Sequence, residues 1–147
     1  MNKLSLALFT LTSVLLATEP PKPLIEKTSG GGGTPPEYQR FERCFVYQDY
    51  VEVVHSYGTN NRVILNERRN VAISGNLQAL ISQAAQEKLE STPNLLCDAP
   101  TTQTASRGVL LFSTGGCGTP KRERQGFASM RLKEIINLYC PTTYGNH

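Results

Sequence analysis

Hydrophobic and polar positions form strand-like and helix-like patterns in separate stretches of this chain. The first stretch, Cys44 to His55, is rich in Phe, Val and Tyr and favours a β-strand. Its alternation is interrupted at Gln48-Asp49, so either the strand is buried on both sides near its ends, or a β-bulge switches its faces. We prefer the bulge. A polar turn at Gly58 to Asn61 then reverses the chain into a second strand, Arg62 to Leu65.

Two later stretches have helical spacing. Apolar positions that include Leu77, Leu80 and Ile81 predict an amphipathic helix over about Asn76 to Glu90, and a second helix is expected over Phe127 to Tyr139. Between them, the continuous apolar run Gly108 to Ser113 is typical of a buried strand. The order β-β-α-β-α predicts an α+β fold, with a small, mainly antiparallel sheet and two helices on one face.

The composition of the ends divides the chain into four parts. Residues 1–17 have a basic start, an apolar run and a small residue at the end, which is the form of a secretory signal peptide. Residues 18–37 are rich in Pro, Gly and Thr and predict a disordered tether. Residues 38–141 are expected to form a single globular domain, and residues 142–147 a flexible tail.

Four cysteines lie in the predicted domain, at positions 44, 97, 117 and 140. An even number behind an export signal indicates two disulfide bonds. Their spacing is too wide for the close pairs that are usual in zinc sites, so no metal is expected. Of the three possible pairings we favour Cys44 with Cys140 and Cys97 with Cys117. The predicted location is secreted or periplasmic, with no stable membrane insertion after removal of the signal peptide.

The net charge of +3 is too small to indicate nucleic-acid binding. The basic stretches near Arg68 and Lys121 also contain Glu67 and Glu123, which favours solvated surface charge. No pattern calls for a cofactor.

Candidate chemistry is sparse. His55 is the one histidine in the predicted domain, and catalysis would require a positioned partner such as Asp49, which lies far along the same strand. A second exposed segment, Gly118 to Arg124, follows a cysteine and has the basic residues that an inhibitor of trypsin-like proteases would need. Two exposed loops are therefore the candidate binding sites, with the residues His55, Tyr57, Asn60, Gly118, Lys121, Arg122 and Arg124.

These observations predict an exported, non-enzymatic, disulfide-stabilised domain that binds an unknown protein or envelope ligand. The first alternative is an inhibitor of trypsin-like proteases that acts through residues 118–124. The second is a small secreted hydrolase that uses His55.

Overall fold

The computed structural model describes residues 20–31, 35–73, 75–97 and 100–141, which form eight strands and two α-helices. The strands are β1 (Ile25–Gly30), β2 (Arg40–Val46), β3 (Tyr50–Tyr57), β4 (Arg62–Asn70), β5 (Leu89–Thr92), β6 (Thr101–Ala105), β7 (Val109–Thr114) and β8 (Lys121–Arg124). The helices are α1 (Leu77–Gln86) and α2 (Phe127–Tyr139). Short 3-10 turns lie at Pro36–Tyr38 and Ser106–Gly108.

All eight strands belong to one sheet, in the order β4-β3-β2-β1-β6-β7-β8-β5, and each neighbouring pair is antiparallel. The α+β class, the mainly antiparallel sheet and the two helices confirm the expected fold class. The order of elements is more complex than β-β-α-β-α, since the sheet has eight strands. Four of them, β1, β5, β6 and β8, are short or polar and have no clear hydrophobic pattern by which the sequence could predict them.

The stretch from Cys44 to His55 is a hairpin and not one bulged strand. β2 ends at Val46, and the Tyr47 N–H donates to the Tyr50 carbonyl at 2.9 Å, which closes a tight turn around Gln48-Asp49. The rings of Tyr47 and Tyr50 stack with centroids 4.1 Å apart across this turn. The two polar residues that interrupt the alternation therefore reverse the chain, as short polar residues commonly do.

The prediction of a disordered tether over residues 18–37 is wrong for its central part. Ile25–Gly30 forms β1 in the middle of the sheet, between β2 and β6. Ile25 and Lys27 are buried, so the folded domain begins before Tyr38. The strand was missed because only one strongly apolar residue, Ile25, marks it among prolines and glycines. Residues 1–17 and 142–147, the predicted signal peptide and tail, lie outside the described residues.

Both helices lie on the same face of the sheet. α2 contacts β1 and β7, while α1 contacts α2 and β7. The apolar side chains of the helices and of this face form the core, to which β1, β2, β3, β6 and β7 contribute Ile25, Cys44, Val46, Val51, Ala105, Val109 and Leu111. No helix in the described part of the chain is long and apolar enough to span a bilayer.

Both expected disulfides are present. Cys44–Cys140 joins β2 to the end of α2, and Cys97–Cys117 joins two loops at one end of the sheet. Two disulfides in one small domain indicate that the chain folds in an oxidising environment, as is found outside the cell or in a periplasm.

Candidate functional site

The hairpin of β3 and β4 contains the first group of predicted binding residues. His55 and Tyr57 are half-buried near the end of β3, and Asn60 is exposed in the turn that follows. Gly58 and Asn61 have positive φ values of 72° and 48°, which the tight reversal requires. This turn lies at the same end of the sheet as the Cys97–Cys117 bridge.

His55 has an acidic neighbour on the adjacent strand, and that neighbour is not Asp49. The neighbour is Glu42 in β2, which is the register partner of His55. The Nε2 atom of His55 lies 3.9 Å from a Glu42 carboxylate oxygen. Ser29 of β1 lies on the other side of Glu42 in the same register. The carboxylate thus separates the hydroxyl from the imidazole, whereas a serine hydrolase needs the histidine between them. This order gives the His55 hydrolase no support.

A buried cation, Lys27, lies next to this row. Its side chain is 2% exposed, and Nζ donates to the Cys140 carbonyl at 2.7 Å. Burial lowers the pKa of the Lys27 ammonium, and the Glu42 charge partly opposes that shift. Arg69 of β4 donates to the Tyr139 carbonyl at 3.0 Å. Two cations thus satisfy carbonyls at the C-terminal end of α2, where the helix dipole favours positive charge. We assign Lys27 a structural role.

The basic residues of the second predicted site do not lie in an exposed loop. Lys121, Arg122 and Arg124 belong to β8, which is paired with β7 on one side and β5 on the other. The Arg124 guanidinium donates to the carbonyls of Leu110 and Glu87, and Lys121 forms an ion pair with Glu123 at 2.7 Å. Because β8 is held in the sheet, it does not have the protruding form that a protease inhibitor requires.

Residues 93–97 and 115–120 form a pair of loops at this end of the sheet, which we call the bridged loops. Cys97–Cys117 joins them covalently. The Asn94 side-chain amide also donates to the Gly115 carbonyl at 3.4 Å, and its Oδ1 accepts from the Leu96 N–H at 3.1 Å. The two loops are therefore held together on both sides of Leu95.

The glycines of the second loop do not leave it loose. The Thr119 N–H donates to the Gly116 carbonyl at 3.0 Å, which closes a turn. A Cβ at Gly115 would overlap the Thr119 side chain, so the glycine permits close packing within the loop. Gly118, at a φ of 75°, is exposed in the same turn.

The bridged loops present two leucines to solvent. Leu95 is 91% exposed and Leu96 is 64% exposed. Residues 93–97 belong to no strand or helix, so their backbone is not part of the sheet ladder. Scattered exposed apolar residues are normal on protein surfaces, but two adjacent leucines on a covalently held loop form a defined apolar tip. The sequence signal for this site is Leu95-Leu96 directly before Cys97, in a segment without periodicity.

Two further surfaces are open. A groove of about 370 Å³ lies at the same end of the sheet, and its lining includes Phe41, Arg43, Ser56 and Thr102. β4 is one of the two edge strands, and it exposes Val63, Ile64 and Leu65. The hairpin turn and the bridged loops share one end of the sheet, but β3 and β7 are four strands apart, or about 19 Å. The two predicted sites are therefore separate.

No family model, curated protein or solved structure matches this chain.

Proposed function

We propose that this protein is an exported, disulfide-stabilised binding domain, which inserts the leucine tip of its bridged loops into an apolar pocket of a partner protein. The observation that carries the proposal is the exposure of Leu95, 91% in a loop that a disulfide and a side-chain amide hold on either side. A side chain in this position offers apolar area to a partner, and burying a leucine releases about 1.5–3 kcal/mol.

The covalent bridge supports the proposal through conformational entropy. A free loop must be ordered when it binds, at a cost of about 0.5–1.5 kcal/mol for each immobilised side chain that has many rotamers. Cys97–Cys117 and the Asn94–Gly115 contact remove part of that cost before the partner arrives. The Leu95 region is thus preorganised, which distinguishes it from an exposed leucine on a mobile loop.

The proposal is tested by site-specific photo-cross-linking in cells that produce the protein. A photoreactive amino acid at position 95 is expected to give one adduct, whose partner is identified by mass spectrometry. The same amino acid at position 138 is the control, because Leu138 is also exposed, at 72%, but lies on α2. An adduct from position 138 alone, or from neither position, would contradict the proposal, and so would an adduct with a second copy of the chain.

Binding of the purified partner provides the quantitative test. Leu95→Asp is expected to raise the Kd by about 30-fold or more, the effect of losing a central contact residue. Leu138→Asp should leave the Kd unchanged. Cys97→Ser combined with Cys117→Ser should weaken binding by slowing association or hastening dissociation, while circular dichroism shows that the sheet is retained. Equal Kd values for the wild type and Leu95→Asp would reject the tip as the contact.

A further inference from the structure

We infer that the partner pocket is the primary specificity pocket of a serine endoprotease that accepts leucine or aromatic side chains, and that the bridged loops inhibit this enzyme. The inference rests on the proposed function and names its partner class. Three features of the loop carry it: the exposed side chain of Leu95, the backbone outside the sheet, and the connections that flank the Leu95–Leu96 peptide bond.

The first feature sets the specificity. Trypsin-like enzymes have an acidic specificity pocket, while chymotrypsin-like enzymes have a hydrophobic one. Of the basic residues near this site, Lys121 and Arg124 are engaged within or beside β8, and the exposed Arg122 belongs to the same paired strand. The side chains at the tip are instead Leu95 and Leu96. The inhibitor of trypsin-like proteases that the sequence suggested is thereby replaced by one with an apolar target.

The second feature is the backbone at the tip. Residues 93–97 are irregular and lie between β5 and β6 at one end of the sheet. A protease holds its substrate as an extended segment whose main chain forms hydrogen bonds with the enzyme, as in other cases of strand addition. Residues 93–97 are not paired in the sheet, whereas β8 is already paired on both sides, so the loop is the segment with which a protease could form main-chain hydrogen bonds.

The third feature concerns the products of attack. The serine Oγ of the protease would add to the Leu95 carbonyl carbon and pass its proton to the catalytic histidine. The C–N bond to Leu96 then breaks, and the Leu96 nitrogen receives that proton as it leaves. Because Cys97–Cys117 and Asn94–Gly115 hold both sides of the break to the same loop, the amine stays beside the ester. The amine can attack the ester and reform the peptide bond before water enters.

Inhibition assays with the purified, oxidised protein test this inference against chymotrypsin, subtilisin and trypsin. We expect inhibition of chymotrypsin or subtilisin at submicromolar concentration and none of trypsin. Leu95→Lys should weaken inhibition of the apolar-specific enzyme by about 30-fold or more and create inhibition of trypsin. Leu138→Lys is the matched control and should behave as the wild type. Circular dichroism melting of each variant confirms that it is folded.

Two results would overturn the inference. One is no inhibition of any of the three enzymes by the wild type and by Leu95→Lys. The other is rapid turnover, in which the Leu95–Leu96 bond is cleaved completely within minutes at a catalytic amount of enzyme. The cross-linking experiment separates these failures from failure of the proposed function. A position-95 adduct with a protein that is not a protease keeps the proposed function and rejects the inhibitor, whereas no adduct and no inhibition reject both.

Discussion

At the scale of single residues, the charges that matter most are those withdrawn from water. Lys27 and Glu42 are each 2% exposed, on neighbouring strands of the central sheet. A buried charge costs several kcal/mol unless an opposite charge and hydrogen bonds replace its water. Here the Lys27 ammonium has the Cys140 carbonyl and the field of Glu42. Neither residue has a sequence pattern that indicates burial, since Lys27 directly follows Glu26 and Glu42 directly precedes Arg43.

Replacing Lys27 tests this arrangement. We expect Lys27→Met to lower the free energy of unfolding by about 3–5 kcal/mol, because the buried Glu42 carboxylate loses the compensating field of the Lys27 charge. Adding Glu42→Leu should restore part of the loss, since the buried carboxylate is then removed as well. Lys88→Met, at a position that is 84% exposed, is the control and should change stability by less than about 0.5 kcal/mol. Urea unfolding at neutral pH measures all four proteins, and a Lys27→Met variant as stable as the wild type would contradict the assignment.

At the scale of elements, the start of α2 depends on a residue from a distant part of the chain. Its N-cap is Gly126, which has no side chain to accept a hydrogen bond. Glu87, at the C-cap of α1, accepts instead from the N–H groups of Ala128 and Ser129 at 2.8 and 3.0 Å. The Ser129 hydroxyl also donates to it. A Cβ at Gly126 would overlap the Glu87 carboxyl group, so the glycine makes room for the cap.

The Glu87 cap predicts a pH dependence of stability. Burial by itself would raise the pKa of Glu87, but the hydrogen bonds from Ser129 and Ala128 and the Arg124 charge outweigh it, so the pKa lies below its ordinary value of 4.5. A carboxyl group with a lowered folded-state pKa stabilises the fold above its unfolded pKa. That contribution is lost as the pH falls through the folded-state value.

Thermal unfolding of Glu87→Gln tests this cap. At neutral pH the variant should be less stable than the wild type by about 1 kcal/mol, a typical capping contribution. The difference should shrink as the pH is lowered from 5 towards 2, since the wild-type carboxylate is then protonated. Glu134→Gln, on the exposed face of α2, is the control and should change stability by less than about 0.5 kcal/mol. A difference that stays constant with pH would show that charge is not involved.

At the scale of the whole molecule, β1 connects two parts of the sheet. On one side lie β2, β3 and β4, and on the other lie β6, β7, β8 and β5. β1 pairs with β2 over Ile25 to Gly30 and with β6 over Ile25 to Ser29. Without β1 the backbone groups of two buried strand edges lose their partners, which costs free energy for each one left unpaired.

Removal of β1 should therefore prevent folding. A chain that begins at Tyr38 is expected to show no cooperative thermal transition at 25 °C and above. The net free energy of unfolding of a domain is only about 5–15 kcal/mol, and the cost of the unpaired backbone groups on two strands would exceed it. A chain that begins at Pro20 retains β1 and is the matched control, which should melt cooperatively. Circular dichroism and the dispersion of amide resonances in NMR spectra measure both. A cooperative, well-dispersed Tyr38 chain would mean that β1 is dispensable.

The local sequence by itself determined the features that depend on periodicity and on the count of cysteines. The expected helix over Phe127 to Tyr139 agrees with α2, and the helix near Asn76 to Glu90 overlaps α1 but extends past its end at Gln86. The even number of cysteines indicated two disulfide bonds. The pairing of Cys44 with Cys140 was favoured because it connects the first predicted strand to the end of the last helix. These features are recognisable because neighbours along the chain produce them.

Only the tertiary structure decided which polar segments are strands and which side chains are buried. β1, β6 and β8 contain few apolar residues and are stabilised by hydrogen bonds to strands from other parts of the chain. The same pairing placed Lys27 opposite Cys44 and diagonal to Glu42, and it placed Lys121 in a paired strand instead of an exposed loop. It also brought residues 94 and 115 together, so that Leu95 is held at the tip of a braced loop. Contacts between distant residues have no local periodic signature, because their free energy arises only when the sheet is assembled.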